Sequence, residues 1–384
     1  MDPQHVFCSN SDCPARGQTG KGNVRIHSRK ERRYTCTECD QTFAARTGTA
    51  FYRLRTPEAT VTRVVTLLAH GCPVQAIVVA FELDERTVAG WHTRAGAQSQ
   101  RVHEHLVEQP RALGQVQADE LWVKLQGLKV WMAMALQVST RLWLGGVVSQ
   151  RRDMALIVAL VQKIRACALP RPLLVCVDGL ASYVSAIRRV FRDPVPTGRR
   201  GRPGMRSWRG VAQRIAQVVK QYARRRVVAV SQRIVQGRRA AIERLLASTQ
   251  AGGKINTAYI ERLNATFRSR LGRLVRRGRA LARQIPTVAD GMYLVGTVYN
   301  FCTFHQSLRL RLRGRPGPTG RRWQLRTPAM AAAITDHYWR VHELLSFPVP
   351  PPRPAPGSAR GWAPPKRRGP VSKATQDLLA RWCS

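Results

Sequence analysis

Gln115-Val116-Gln117-Ala118-Asp119-Glu120-Leu121-Trp122-Val123 is the stretch whose reading decides the fold. It reads as a β-strand that ends in the turn Lys124-Leu125-Gln126-Gly127, and the two-residue period of a strand points Glu120 away from Asp119. Two further apolar runs follow, Lys129 to Val138 and Leu142 to Val148, separated only by Ser139-Thr140-Arg141. Three successive strands with short connections make an antiparallel meander. Asp153 is then a ready N-cap for an amphipathic helix whose apolar face carries Leu156, Ile157, Leu160, Val161 and Ile164. Beyond Pro170 and Pro172, Leu173-Leu174-Val175-Cys176-Val177 reads as a buried strand ending at Asp178-Gly179, and a helix runs on through Tyr183, Ile187 and Val190.

The order is strand, strand, strand, helix, strand, helix, with an acid on the first and the fourth strand. If those strands are neighbours, Asp119 and Asp178 come within reach of one metal. Hard divalent cations such as Mg2+ or Mn2+ take oxygen ligands, and two or three carboxylates hold two ions about 3.5–4 Å apart for in-line phosphoryl transfer. Acids are scarce enough to weigh singly, because only eight lie between residues 110 and 300. Asp193, before Pro194, fits a turn. The candidates for a third ligand are Glu261, Glu243 and, more weakly, Asp290. Glu261 sits on a predicted helix, Tyr259 to Leu271, with Ile260, Leu263, Phe267 and Leu271 on one apolar stripe and Asn264 and Arg268 on the neighbouring face. Glu243, in Ala241-Ile242-Glu243-Arg244-Leu245-Leu246, has similar local sequence.

Charge sets the partner class. The 384 residues carry 64 Lys and Arg against 22 Asp and Glu, a formal +42, and the excess is mostly arginine, whose fork matches phosphate oxygens. A polyanion is implied, with double-stranded DNA the first expectation. The hydrophobic share of 44% is that of a globular chain with a sizeable core, not of a disordered one. No apolar run approaches the roughly 20 residues of a membrane span, no signal-peptide core opens the chain, and no GxxxxGK[ST] loop is present, so a cytoplasmic protein without a membrane or nucleotide partner is expected.

Four of the nine cysteines fall within the first 39 residues. Cys8-x4-Cys13 and Cys36-x2-Cys39 are two close pairs joined by a basic hairpin, the spacing of a four-thiolate zinc site, and such a site is structural because it leaves no open position. Tyr34 and Phe43 are placed to cover it. Residues 57 to 100 read as helices: one from Pro57, a short one from Pro73 to Phe81, and one from Glu85 to His92 after the turn Leu83-Asp84. That is helix-turn-helix geometry, with Arg86, Thr87, His92 and Arg94 as candidate DNA contacts and Val88 and Trp91 in the core.

These segments together resemble a bacterial insertion-sequence transposase of the DDE type, of the group with an N-terminal zinc ribbon and helix-turn-helix. The resemblance rests on Gln117-Ala118-Asp119-Glu120, Val177-Asp178-Gly179, Tyr259-Ile260-Glu261-Arg262-Leu263-Asn264, Tyr299-Asn300-Phe301-Cys302-Thr303-Phe304-His305-Gln306-Ser307-Leu308 and the stretch Thr327 to His337. It implies an α/β, ribonuclease H-like mixed sheet with flanking helices, preceded by the small zinc ribbon and the helical domain. It implies two Mg2+ (or Mn2+) ions at Asp119, Asp178 and Glu261, beside one structural Zn2+, and DNA cleavage followed by strand transfer. Holding two DNA ends implies a homodimer or larger assembly on DNA, acting at the nucleoid. Arg262, Arg268 and Arg270 become phosphate contacts, and Asn264 and His305 auxiliary residues that orient substrate or make structural hydrogen bonds.

The expected domains are a zinc ribbon over 1–50, the helix-turn-helix over 51–108, the catalytic domain over 109–310, a C-terminal helical extension over 311–347 and a Pro/Arg-rich flexible tail over 348–384. The 82 residues between Asp178 and Glu261 exceed what a minimal sheet needs, so a basic helical insertion is expected over about 195–250, with a helical segment from Val211 to Ala247 and Arg224 and Arg225 toward DNA. A non-catalytic DNA-binding regulator, or a ribonuclease H-like nuclease without strand transfer, would share much of this pattern. The regulator gives no reason for acids that end two strands of a basic domain.

Overall fold

The computed structural model describes residues 1–125, 128–195, 204–208, 213–224, 226–250, 253–271, 284–312 and 322–351. The chain divides into two compact units, Met1–Arg53 with the chain from Pro348, and Leu54–Phe347.

The first unit is a three-stranded antiparallel sheet of β1 (Val24–Ser28), β2 (Arg33–Cys36) and β3 (Thr42–Ala44). Too small to bury a large core, it encloses Cys8, Cys13, Cys36 and Cys39, with Phe43 packed against them and the Tyr34 ring 5.8 Å from that of Phe43. Pro350 lies against Gly17, where an added Cβ would stand 2.8 Å from the proline's own, so the Pro-rich stretch begins packed on this unit. The rest of the expected tail, with its short helix from Val371 to Cys383, lies outside the described residues.

The second unit opens with α1 (Glu58–Ala69), α2 (Val74–Phe81) and α3 (Glu85–Leu106). Gly71 ends α1 with φ +85, and its missing side chain admits the end of a later helix, since a Cβ there would meet the Ser269 carbonyl oxygen at 2.8 Å. Asp84 caps α3 by accepting the Arg86 N–H at 2.8 Å. This helix, expected to carry Arg86 to Arg94, runs on to Leu106, because Ala95, Gly96, Ser99 and Val102 prolong its buried face. Gly96 packs directly on Asp290, with no room for a Cβ.

The central sheet has six strands. These are β4 (Gln115–Leu125), β5 (Leu128–Gln137), β6 (Trp143–Ser149), β7 (Leu173–Asp178), β10 (Gln213–Ala223) and β11 (Arg226–Gln236). Their order across the sheet is β11-β10-β7-β4-β5-β6, with β10, β7 and β4 parallel and the other neighbours antiparallel. The first strand is thus beside the fourth, as its sequence suggests. Between β6 and β7 runs α4 (Met154–Ala166), capped by Asp153, which accepts the Leu156 N–H at 3.0 Å. After β7 come α5 (Ala181–Val190) and the two-stranded ribbon β8 (Arg192–Val195) with β9 (Gly204–Ser207).

The helix expected over Val211 to Ala247 is replaced by β10, β11 and only then α6 (Arg239–Thr249). The reason is local: Val218, Val219, Val227, Val228, Val230, Ile234 and Val235 are β-branched, and they fit a pleated surface better than a helical turn. The segment extends the central sheet instead of decorating it.

Then follow α7 (Ala258–Arg270) and α8 (Ile285–Cys302), the latter buried on nearly every face. Trp143, Ile260, Leu263, Phe267, Met292 and Tyr293 share one core with the inner residues of β4 and β5. Asn300 closes the outer edge of the sheet: it accepts the Trp143 N–H and donates to the Trp143 carbonyl, both at 2.9 Å, as a neighbouring strand would. The unit ends in β12 (His305–Arg311) paired with β13 (Trp323–Arg326), then α9 (Pro328–Ala331) and α10 (Val341–Ser346). Among the described residues no helix is long and apolar enough to cross a membrane.

Candidate active site

The register of the parallel pair β4–β7 sets Gln115 opposite Leu174 and Gln117 opposite Cys176. Continued by two residues, it sets Asp119 against Asp178. One ligand atom from each of Asp119, Glu120 and Asp178 lies within 4.8 Å of the others. Glu120 is the departure from sequence, which points it to the opposite face. Its carboxylate is brought round by Arg152, whose Nη2 stands 2.7 Å from Glu120 Oε2 and 3.6 Å from Asp178 Oδ2, so one guanidinium gathers acids from both strands. Asp119 turns back to meet it, its Oδ1 accepting the Glu120 N–H at 2.9 Å.

Burial, the charges of Glu120 and Asp178, and more weakly that of Glu261 push the Asp119 carboxyl up to about 7. Crowded carboxylates of this kind are what a divalent cation neutralises. The buried Glu120 Oε1 and Asn264 Oδ1, which have no hydrogen-bond partner among the described residues, add oxygen donors to the same place. The residues present therefore fit a hard divalent cation.

Helix α7 is pinned over this cluster from β4. Gln117 Oε1 accepts the N–H groups of Tyr259 and Ile260, both at 3.0 Å, while its Nε2 donates to the Asn256 carbonyl at 2.8 Å. The N-cap residue Thr257 makes no side-chain cap, so a strand glutamine satisfies donors that the helix start leaves open. One turn on, the buried Asn264 donates through Nδ2 to Asp119 Oδ2 at 2.8 Å.

Glu261 lies near enough to Asp119 to act on its ionisation but outside the three-acid cluster. Its Oε1 is held at 2.6 Å from Lys220 Nζ of β10 and accepts the Thr257 hydroxyl at 2.9 Å. Its rivals stand elsewhere: Glu243 is exposed beside Arg239 on α6, and Asp290 packs on α3. Sequence reasoning did not find Arg152, Lys220 or the role of Gln117, because each acts on a residue distant along the chain.

The four N-terminal cysteines meet the geometric demand of a tetrahedral thiolate site. With Zn–S near 2.3 Å, such a site requires S···S separations of about 3.8 Å. Cys8 and Cys39 are 3.7 Å apart, Cys13 and Cys36 3.8 Å, and all four sulfurs lie within 4.8 Å of one another. Asn23 Nδ2 donates to Cys36 Sγ at 3.3 Å, a contact that favours the thiolate.

Of the remaining candidates, Arg86 and Arg94 are exposed on α3, Thr87 is half-buried, and His92 is half-buried against Gly291 of α8. Arg224 is exposed in the β10–β11 turn with φ 47; Arg225 lies outside the described residues. Arg262 is exposed, and Arg268 and Arg270 are half-buried. His305 packs edge-on against Tyr299, ring centroids 4.6 Å apart. Burial, with Arg270, Arg141 and Arg262 nearby, pushes its imidazole down to about 4.

The parallel pair carrying Asp119 and Asp178 falls inside residues 114–202, the stretch that matches a family described as a DDE domain. This stretch is similar to a DDE domain. The match supports an insertion-sequence DDE transposase, and with it transposase function and divalent-metal use. Glu261 lies beyond the matched stretch. No curated protein matches the chain.

Proposed function

We propose that the protein is the transposase of an insertion sequence, which binds the terminal repeats of its element, cleaves DNA there in a Mg2+-dependent reaction and joins the freed 3′-hydroxyl to target DNA. The observation that carries the reading is the β4–β7 register, which sets Asp119, within β4, beside Asp178 at the end of β7 in a strongly basic chain. Asp119, Asp178 and Glu261 would hold the divalent ions, which when bound supply a nucleophile at neutral pH and neutralise charge developing on the phosphodiester. Asn264 holds the Asp119 carboxylate in place, and Arg152 holds Glu120 beside Asp178. For Glu261 to serve, its carboxylate must leave Lys220. Arg86, Thr87, His92, Arg94, Arg224, Arg225, Arg262, Arg268 and Arg270 are the proposed DNA contacts, and Zn2+ in the cysteine cluster shapes the first unit. The active form on DNA is a dimer or larger, in the cytoplasm.

The test is incubation of the protein with DNA carrying the element's end and a target plasmid, in Mg2+. Cleaved and joined products are expected, and Asp119→Asn, Asp178→Asn or Glu261→Gln should each abolish both. Nicks without joining would replace the reading with a nuclease, and binding alone with a regulator.

A further inference from the structure

The ribbon formed by β12 and β13 is open on both faces beyond its base. The base is fixed: Leu308 is buried, Arg326 Nε donates to the Leu308 carbonyl at 2.8 Å, and the buried Thr327 caps α9. From there outward, residues 309–312 on one strand and 322–325 on the other are all exposed. Arg311 pairs directly with Trp323, so the two side chains share a face, and the Arg309 guanidinium lies over the indole, 4.3 Å from its centroid. Trp323 still keeps 43% of its surface exposed, whereas Trp91, Trp143 and Trp339 of the same unit are buried. Residues 291–335 contain no Asp or Glu, and 305–326 contain seven Arg.

Stability does not account for this arrangement. A two-stranded ribbon is marginal in water, and one that leaves Leu310, Leu312, Trp323 and Leu325 exposed forgoes the burial that would hold it. The ribbon has the composition of a contact surface. Its charge selects a polyanion and repels a second copy of the same arginine-rich surface. Its indole selects further, because the ring offers a flat apolar face and a single N–H, a poor match for phosphate but a good one for a nucleobase, and guanidinium planes stack on bases too. In a duplex the base faces are covered by their neighbours and only the edges show. An unpaired strand presents both the phosphates that the arginines take and the flat faces that the ring takes.

We infer that this ribbon is a binding site for single-stranded DNA, in which Trp323 stacks on an unpaired base, Arg309 backs the indole from its other side, and Arg311 and Arg322 hold the adjoining phosphates. None of the contacts of the transposase reading lies on the ribbon, and that reading enters only in taking the strand to be DNA.

The experiment measures binding of the full chain, without Mg2+, to a labelled random-sequence single strand and to the duplex of the same sequence. Trp323→Ala should weaken single-strand binding about tenfold and duplex binding far less. Trp323→Phe, which keeps a flat ring, should recover most of the loss. Arg311→Gln should lower the slope of log single-strand affinity against log salt by about 0.7, the share of one phosphate, and it gives a second reading if the ribbon tolerates no change at Trp323. Equal losses on both DNAs, or a Phe variant as weak as the Ala one, would overturn the stacking site. So would unchanged single-strand affinity in Trp323→Ala together with an unchanged slope in Arg311→Gln. Binding to anionic vesicles that falls in Trp323→Ala while strand binding holds would assign the ribbon to a membrane surface, and an RNA strand of the same sequence bound more tightly than the DNA would replace DNA with RNA. Cleavage of duplex element ends tests the transposase reading separately, because strand binding is read without any cutting.

Discussion

Asn264 of α7 donates a 2.8 Å hydrogen bond to the Asp119 carboxylate of β4, joining the helix that carries Glu261 to the strand that carries the first acid. Both partners are largely buried, so the bond is made where water competes poorly. Asn264→Leu, close in volume, should lower stability by about 1–3 kcal/mol, the range for leaving a buried acceptor unpaired, and urea denaturation in the presence of chelator measures it. Metal-dependent cleavage should fall with it. A variant of wild-type stability would show that the bond contributes nothing.

The raised Asp119 carboxyl gives a pH dependence whose sign can be worked out. Ionisation near 7 in the folded chain, against the ordinary 3.8, means that between these values the folded state holds a proton which the unfolded state has lost. Stability of the metal-free protein therefore falls as pH rises from about 4 through about 7. Asp119→Asn should remove that component, and added Mn2+ should offset it while releasing a proton. Urea midpoints at a series of pH values, with and without chelator, read this; a wild-type profile identical to that of the variant would contradict the shift.

Lys220 and Arg152 are cations inside a site made for cations. Lys220→Met removes the partner that holds Glu261, so Mn2+ binding followed by titration calorimetry should tighten severalfold, as expected for losing a competing ion pair at a half-exposed position. Arg152→Gln should act in the other direction, because it releases Glu120 and Asp178 from their common clamp. Equal affinity in all three proteins would mean that neither cation orders the acids.

The cysteine cluster predicts a metal-dependent fold for the N-terminal unit, whose small core is built around the four sulfurs. Cys36→Ser should release Zn2+ to a chromophoric chelator and lose the near-ultraviolet signal of Tyr34, while the second unit keeps its helical signal. Retention of one Zn2+ per chain would show that three thiolates suffice.

Much of the site was legible because it depends on local pattern. Asp119 and Asp178 could be placed from strand order alone, Asp153 from the helix it caps, and the cysteines from their paired spacing. What was not legible depends on long-range pairing. Glu120 obeys the strand period in sequence, yet Arg152, from a turn beyond two further strands, gathers its carboxylate with that of Asp178. Gln117 looks like a polar strand residue until Tyr259 and Ile260 arrive to donate to it. The error over residues 213–236 was of another kind: the valines that argue for strands were on the page, and the basic residues between them suggested a solvated helix.

The position of β10 in the sheet bears on how the chain is made. β4 and β7 are synthesised well before the strand that completes them, so during translation the nascent domain has both aspartates on paired strands while one side of β7 waits for residues 213–218. Asn264 and Gln117's partners come later still. A chain that stops at residue 212 should hold its acid-bearing strand open to other chains, and such a fragment should sediment as aggregates where the full-length protein does not.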